Sequence, residues 1–167
     1  MKSFAKIAGI ALSVALVSAC ATDNVGVAEN TSAPTTQTAG PAGPTPGSQE
    51  DLEKNAGHRV FFALDEYTLT PQAQATLARQ ANWLKQYPEA RVLLAGNCDE
   101  RGTREYNLAL GARRSEAARA YLVSLGVDSA RIRTVSYGKE RPIDPRSTED
   151  AWSINRNATT TLTGVGS

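Results

Sequence analysis

Residues 96–103 read GNCDERGT, and residues 105–107 and 110–114 continue as EYN and LGARR. The stretch follows an apolar run at residues 92–95 and precedes a segment compatible with a helix, so it places charge in a strand-to-helix turn. Asp99 in the turn and Arg114 in the helix are then able to converge on one ligand that carries both charges. This spacing favours binding over catalysis.

Apolar runs and helical stripes alternate on both sides of this turn. Thr70 and Pro71 mark one helix start, Pro88 marks its end, and Gly126 closes the helix after the turn. The predicted order is a strand at 60–64, a helix from 71, a strand at 91–95, a helix at about 104–125, a strand at 132–137, a polar loop and an edge strand at 158–162. This order predicts an α/β fold, an open α+β sandwich with the helices on one face of the sheet.

Arg114 lies on the helix face that we expect to be buried, four residues after Leu110. The predicted inner stripe of this helix is Leu110, Ala117, Tyr121 and Leu125. The alternative for Arg114 is a surface or capping salt bridge to Asp99 or Glu105, which would contribute little free energy.

The N-terminus carries the features of an export signal. Lys2 and Lys6 precede an apolar stretch at residues 7–17, and small residues lead up to Cys20. A positive start, a short apolar core and small residues before cleavage are typical of a secretory signal. A transmembrane anchor is the alternative, but the stretch is shorter than the roughly 20 residues that span a bilayer. We therefore predict a lipoprotein signal at residues 1–19 and lipidation of Cys20.

Charge and composition limit the partners of the mature chain. Loss of Lys2 and Lys6 leaves 16 of 18 basic residues against 17 acidic ones, a formal charge of −1. Basic residues are interleaved with acidic ones instead of forming the basic patch typical of nucleic-acid binders, so no nucleic-acid partner is predicted.

A tract without core-forming residues follows the predicted lipid site. Residues 21–50 contain four prolines and no aromatic residue, among many Ala, Thr, Gly and Ser. Such a composition predicts a disordered tether, and a neutral spacer with no required length is the alternative. We place the lipidated end and linker at residues 20–54 and the folded domain at 55–164.

Cys98 would be the one free thiol of the exported chain. With His58, the only histidine, it is a candidate nucleophile or metal ligand, but each role needs more partners than the sequence supplies. A small, half-buried residue at a strand end is the simpler interpretation. The neighbouring carboxylates Asp99 and Glu100 ordinarily point apart, so we predict no enzyme, no metal site and no cofactor.

The motif at residues 96–114 resembles the signature of the OmpA-like C-terminal domain family and is similar to the peptidoglycan-associated lipoproteins of that family. The resemblance covers roughly residues 59–162, with further matches at FALD (62–65), VSYGKERP (135–142) and Asn155-Arg156. It implies a βαβαβ domain with a mixed sheet.

The resemblance also implies a ligand. Domains of this family grip meso-diaminopimelate in the peptidoglycan stem peptide, whose side chain ends in an ammonium and a carboxylate. An arginine fork suits the carboxylate, and an aspartate suits the ammonium. The residues that match family ligand positions are Asp65, Asp99, Thr103, Leu110 and Arg114, with support from Asn97, Asn155 and Arg156.

Two positions depart from the family pattern. Asn157 replaces the second arginine of the usual Asn-Arg-Arg-Ala, and Ala63-Leu64 replaces a more polar or aromatic pair. We expect each change to affect a secondary contact and to leave the main charged pair in place.

The resemblance finally implies a cellular role. It is that of an outer-membrane lipoprotein with a periplasmic domain, which tethers the membrane to peptidoglycan within the Tol-Pal system and serves envelope integrity and cell division. Its partners would be peptidoglycan, TolB and TolA. The alternative is an OmpA-like structural lipoprotein that acts independently of Tol.

Overall fold

The computed structural model describes residues 43–165, and the predicted signal and Cys20 lie outside this range. Within it the elements follow in the order α1 (Gln49–Asn55), β1 (Arg59–Phe61), α2 (Pro71–Gln86), β2 (Ala90–Asn97), α3 (Arg104–Ser124), a 3-10 turn (Ser129–Arg131), β3 (Ile132–Gly138), α4 (Glu149–Asn155) and β4 (Asn157–Val165). The predicted alternation of strands and helices is therefore confirmed for the five elements from β1 to β3.

The sheet is mixed, with the strand order β1-β4-β2-β3. β3 runs parallel to β2, whereas β4 runs antiparallel to both β1 and β2. The predicted edge position of β4 is therefore wrong. Threonines in its sequence favoured an exposed strand, but Thr160 is fully buried and its hydroxyl donates to Gln80 Oε1 at 2.8 Å. The buried hydroxyl is tolerated because it has a hydrogen-bond partner.

α2 and α3 pack against one face of the sheet, as predicted. Leu77 and Leu84 of α2, Leu122 of α3, and Val92 and Leu94 of β2 are fully buried between these layers. Burial of each such side chain stabilises the fold by about 1.5–3 kcal/mol. This core fixes the ends of β2 and α3, between which the charged turn lies.

α3 approaches β2 closely at Gly96 and Gly111. A Cβ atom at Gly96 would collide with the carbonyl oxygen of Gly111, so the contact requires glycine. It also sets the rotation of α3, whose buried face is Asn107, Leu110, Gly111, Arg114, Ser115, Ala118 and Leu122. The predicted stripe is correct at Leu110 and wrong at Ala117, which is only half-buried. The close approach turns Arg114 toward the end of β2.

Two short helices were not predicted. α1 begins after the N-cap Ser48 and buries Leu52 completely, so the folded chain extends upstream of the boundary predicted at residue 55. α4, capped by Thr148, fills part of the predicted polar loop. Helices of seven residues are too short to show a periodic stripe, and they form here through tertiary packing.

β1 is shorter than predicted. It ends at Phe61, and residues 62–65 leave the sheet toward the charged turn. The Phe62 N–H still donates to the Arg156 carbonyl at 2.9 Å, which ties the departing chain to the start of β4.

Among residues 43–165, no helix combines the length and the hydropathy needed to cross a bilayer.

Candidate functional site

The charged turn connects the end of β2 to the start of α3. Thr103 caps α3, and its hydroxyl oxygen accepts a hydrogen bond from the Tyr106 N–H at 3.2 Å. Asn107, one turn into the helix, donates back to the Arg101 carbonyl at 2.7 Å and to the Thr103 carbonyl at 3.1 Å. These bonds close the turn on itself, so the direction of its side chains is fixed by the helix start.

Arg114 is fully buried beneath this turn. Its Nε donates to the Glu66 carbonyl at 2.8 Å, Nη1 to the Asn97 carbonyl at 2.9 Å and Nη2 to the Ala63 carbonyl at 3.0 Å. The guanidinium therefore joins the segment after β1 to the end of β2. The alternative of a surface salt bridge is wrong for Arg114, because the side chain is buried and its three bonds go to carbonyls.

Burial lowers the pKa of Arg114 from its ordinary value, but an arginine remains charged in a protein. Its guanidinium carbon also lies 5.2 Å from the centre of the Phe62 ring, a distance at which a cation is attracted to an aromatic face. The site thus holds a permanent positive charge with little access to solvent.

Asp99 provides the opposite charge and is only 4% exposed. Arg101 contacts both of its carboxylate oxygens, with Nη2 2.6 Å from Oδ2 and Nε 3.2 Å from Oδ1. Arg156 adds a third contact from Nη1 to Oδ2 at 3.2 Å. Burial alone would raise the pKa of Asp99, but the bonds from Arg101 and Arg156 outweigh it and hold this pKa below its ordinary value.

Asp65 enters the site from the loop after β1. Its φ of +55° lies in the left-handed region, which few non-glycine residues adopt. Such a conformation costs about 1–3 kcal/mol and is common where a side chain must be aimed at a functional site. Leu64, before it, is half exposed and lines the same cavity.

The three predicted supporting residues hold the frame of the site. Arg156 donates from Nε to the Phe62 carbonyl at 3.2 Å and from Nη2 to Glu149 Oε1 at 3.0 Å. Asn97 supplies the carbonyl that Arg114 contacts. Asn155 accepts from the N–H groups of residues 143 and 144 and donates to the Asp144 carbonyl, so it braces the loop before α4.

Asn157, the departure from the family pattern, is fully buried in β4. Its Oδ1 accepts from Asn97 Nδ2 at 2.9 Å and from the Thr159 hydroxyl at 2.9 Å, and its Nδ2 donates to the carbonyls of Ile154 and Asn155. At this position the side chains of Asn97 and Asn157 therefore form a hydrogen-bonded amide pair between β2 and β4, and Asn157 does not line the cavity.

These groups line a small cavity with a volume of about 10 Å³. Its lining residues are Leu64, Asp65, Cys98, Asp99, Arg101, Asn107, Leu110, Arg114 and Arg156. Of the predicted ligand residues, Asp65, Asp99, Leu110 and Arg114 converge here. Thr103 does not line the cavity and lies exposed at the start of α3.

Sequence reasoning missed Arg101 and Asn107 as parts of the cavity wall. Asn107 stands four residues after the helix cap, a spacing that was a usable signal. Cys98 also lines the cavity, where it is buried and not half-buried as predicted, and burial raises the pKa of its thiol. His58 lies elsewhere, next to Glu53, with Nδ1 3.9 Å from Oε1.

Cavity size does not by itself identify the site. A cavity of about 350 Å³ between the start of α1 and the end of α2 is lined by Pro46, Tyr87 and Pro88 among others. None of the described residues in its wall is a buried charged group. The small cavity beside Asp99 is the stronger candidate, because buried charges of both signs meet there.

Comparisons with known proteins agree with this fold. Residues 61–156 match the OmpA family. A peptidoglycan-associated lipoprotein from Mesorhizobium japonicum is 56% identical over 123 residues, which span 74% of this chain and 73% of that protein. One from Haemophilus influenzae is 41% identical over 158 residues, 95% of this chain and 97% of its own.

Solved structures show the same similarity. The peptidoglycan-associated lipoprotein from Burkholderia pseudomallei superposes with a TM-score of 0.61 at 45% identity, covering 63% of this chain and 89% of its own. The C-terminal domain of Helicobacter pylori MotB superposes with a TM-score of 0.60 at 18% identity, which shows a shared fold alone.

Proposed function

The chain belongs to the OmpA family, within the peptidoglycan-associated lipoproteins, and we propose that its small charged cavity binds the meso-diaminopimelate side chain of peptidoglycan. The observation that carries the proposal is the meeting of buried Asp99 and buried Arg114 at one cavity. The end of a diaminopimelate side chain carries an ammonium and a carboxylate, so it requires opposite charges a few ångströms apart.

Arg114 is suited to the ligand carboxylate. Each terminal nitrogen of a guanidinium carries two hydrogens, and in Arg114 each of them donates one hydrogen bond within residues 43–165. A second hydrogen on each remains, one of these N–H groups faces the Cys98 thiol, and a guanidinium fork of this kind can bind a carboxylate that enters the cavity. The carbonyls of Ala63, Asn97 and Glu66 hold the fork in place before the ligand arrives.

The remaining parts of the ligand have partners in the same wall. Asp99 and Asp65 supply carboxylates for the ammonium, and Leu110 and Leu64 supply apolar surface for the methylene chain. Thr103 lies at the N-terminus of α3, where the helix dipole is positive and favours an anionic group of the stem peptide.

A ligand-side experiment tests the binding proposal without changing the protein. Full-length protein purified in detergent should cosediment with sacculi that contain meso-diaminopimelate. Sacculi with lysine at that position keep the ammonium but lack the carboxylate that Arg114 is proposed to bind, so cosedimentation should fall more than tenfold. Equal binding to both wall types would contradict the proposal.

The cellular role that we propose is a tether between the outer membrane and the wall. A lipid on Cys20, outside the described residues, would anchor the chain in the outer membrane, and the linker would let the domain reach peptidoglycan from the periplasmic side. Labelling with radioactive palmitate should mark the wild type and not Cys20→Ala. Labelling of the variant would contradict the lipid site.

We place this tether in the Tol-Pal system, with TolB and TolA as protein partners and a function in envelope integrity and cell division. Support comes from the similarity to peptidoglycan-associated lipoproteins along nearly the whole chain. Affinity capture from crosslinked cells, followed by mass spectrometry, should recover TolB. Its absence, with peptidoglycan fragments still recovered, would favour a structural lipoprotein that is independent of Tol.

A further inference from the structure

The proposed diaminopimelate cavity is narrow in this structure, and the two charged groups that it is proposed to use, Asp99 and Arg114, are buried. Its volume of about 10 Å³ is close to the minimum needed for one water molecule. The end of a diaminopimelate side chain is several times larger. If the proposed function is correct, at least one side chain of the lining must move when the ligand binds.

Three arginines line the cavity, and two of them are fixed. Arg114 is fully buried on three carbonyls, and the side chain of Arg156 is 9% exposed and held by the Phe62 carbonyl. The Arg101 side chain differs, because it is 34% exposed and, within residues 43–165, donates to no carbonyl. Arg101 is therefore the arginine that can leave its place at the lowest cost.

Arg101 occupies the position that a ligand ammonium would need. Two of its three guanidinium nitrogens contact the Asp99 carboxylate, with Nη2 2.6 Å from Oδ2 and Nε 3.2 Å from Oδ1. With Arg101 in place, three arginines and two aspartates line the cavity, which leaves an excess of one positive charge. With Arg101 withdrawn, the charges balance, as a zwitterionic ligand requires.

The displaced guanidinium has a place to go. Its central carbon already lies 4.2 Å from the centre of the Trp152 ring, and its Nη1 lies 3.5 Å from Glu149 Oε2. A small rotation can release Asp99 while both contacts remain. Asp99 keeps the backbone N–H of Arg101 at 3.1 Å and Nη1 of Arg156 at 3.2 Å, so its carboxylate stays oriented.

We infer that Arg101 is an exchangeable counterion of Asp99, which the ammonium of the ligand displaces onto Trp152 and Glu149. This inference rests on the proposed function and makes Arg101 a specificity-determining residue. A ligand that offers only a carboxylate cannot replace Arg101 at Asp99. A ligand with an ammonium can, and it then opens the cavity.

Three soluble stem tripeptides provide the test, ending in meso-diaminopimelate, in lysine or in 2-aminopimelate. At the end of the side chain, the first peptide carries both an ammonium and a carboxylate, the second carries only the ammonium, and the third carries only the carboxylate. Calorimetric titration of full-length protein in detergent should show that Arg101→Gln binds the two ammonium-bearing peptides roughly threefold to tenfold more tightly than the wild type, because a charge-assisted competitor has been removed. Binding of the 2-aminopimelate peptide should not improve.

Arg104→Gln is the matched control. Arg104 lies in the first turn of α3 outside the cavity lining, its side chain is 62% exposed, and it pairs with Glu140 at 3.3 Å. The Arg104→Gln variant removes one positive charge, as Arg101→Gln does, and it should leave the affinities for all three peptides unchanged. If Arg101→Gln fails to fold, Arg101→Lys keeps the charge but loses the fork, and it should give a smaller gain of the same sign.

The outcomes separate this inference from the proposed function. If the wild type does not bind the diaminopimelate peptide, the proposed function itself fails. If the wild type binds and Asp99→Asn does not, while Arg101→Gln binds equally or more weakly, the function stands and the exchange is wrong. A loss of more than tenfold for the 2-aminopimelate peptide would show that Arg101 holds the ligand carboxylate instead.

Discussion

Asp51 in α1 and Asp99 in the charged turn are equally buried, with 6% and 4% exposure, but they are stabilised in different ways. Asp51 accepts hydrogen bonds from neutral donors, namely the Gly47 N–H at 2.9 Å, Trp83 Nε1 at 2.8 Å and Asn55 Nδ2. Asp99 is instead held by the charged side chains of Arg101 and Arg156. Both carboxyl groups have a pKa below the ordinary value, so both are ionised at neutral pH.

The difference separates a structural carboxylate from one suited to binding. Two of the donors around Asp51 are the Gly47 backbone N–H and the buried Trp83 indole, so they cannot be exchanged without opening the junction between α1 and α2. One partner of Asp99 is a long, partly exposed side chain that can be replaced by another cation. A buried carboxylate is therefore a better candidate for ligand binding when one of its partners is a partly exposed charged side chain than when its partners are neutral groups of the fold.

The largest effect should come from removing the Arg114 guanidinium, which joins the segments around the cavity and is proposed to bind the ligand carboxylate. Arg114→Ala would leave the carbonyls of Ala63, Glu66 and Asn97 without their buried donor and would create a void. We expect the free energy of unfolding to fall by about 3–5 kcal/mol, with loss of cosedimentation with sacculi. Denaturant unfolding and cosedimentation measure the two effects.

Arg104→Ala is the control for Arg114, because it removes an exposed arginine of the same helix. Its surface pair with Glu140 is worth less than about 1 kcal/mol, so stability and binding should both stay near the wild type. If Arg114→Ala were as stable as this control, the buried guanidinium would not be joining the segments around the cavity.

Exchange of carboxylate for amide at the two buried aspartates should separate binding from stability. Asp99→Asn keeps the side-chain shape but loses the charge for the ammonium, so affinity for diaminopimelate-type sacculi should fall by about 2–5 kcal/mol, more than tenfold. Asp51→Asn removes the charge and replaces one of the two acceptor oxygens with a donor, so it should lower the melting temperature and leave the affinity unchanged.

Calorimetry and cosedimentation on both variants measure this separation. A loss of binding in Asp51→Asn, under conditions where the variant is folded, would mean that the two buried carboxylates do not have distinct roles.

The sequence predicted the central elements because their signals are local. The cap at Thr70 with Pro71 and the closing Gly126, whose φ is +91°, predicted helix ends that the structure confirms. The interior position of β4 has no local signal, since it depends on which strands pair. α1 was missed because it is too short for a periodic pattern and is held by Leu52 and Asp51 against α2.

The site could be predicted only in part, for the same reason. Similarity to the OmpA-like family named Asp65, Asp99, Leu110 and Arg114, which the structure brings to one cavity. The role of Arg101 could not be predicted, because its partner depends on how the turn closes. Sequence spacing also does not show that Arg114 donates hydrogen bonds to three backbone carbonyls. These bonds give Arg114 a structural role in addition to its proposed role in ligand binding.

A smaller effect is expected at the junction where Asp51 lies. Ser48 Oγ accepts a hydrogen bond from the Asp51 N–H at 3.2 Å and caps α1, so Ser48→Ala should lower the free energy of unfolding, measured in denaturant, by about 0.5–2 kcal/mol.

Deletion of residues 33–42, upstream of the described range, should leave the melting temperature unchanged, because a tract of this composition buries no core. A drop of several degrees on deletion would show that this tract packs on the domain.

The smallest effect should be the pH dependence that Asp99 adds to stability. Its folded-state pKa is below the ordinary value of 3.8, so the unfolded chain binds this proton more readily. The stabilisation is therefore fully present above the ordinary pKa and is lost as the pH falls through the lower, folded-state pKa. Asp51 has a lowered pKa as well, and hydrogen bonds from Arg146 hold the pKa of Asp144 at about 2, so acid unfolding of the wild type reports several carboxylates together.

The difference in unfolding free energy between the wild type and Asp99→Asn cancels the shared contributions. Measured by denaturant unfolding, this difference should be constant from pH 7 down to about 5 and should shrink below the ordinary carboxyl range. A difference that stays constant down to pH 2, or grows as the pH falls, would show that Arg101 and Arg156 do not stabilise the ionised form of Asp99 over the protonated form.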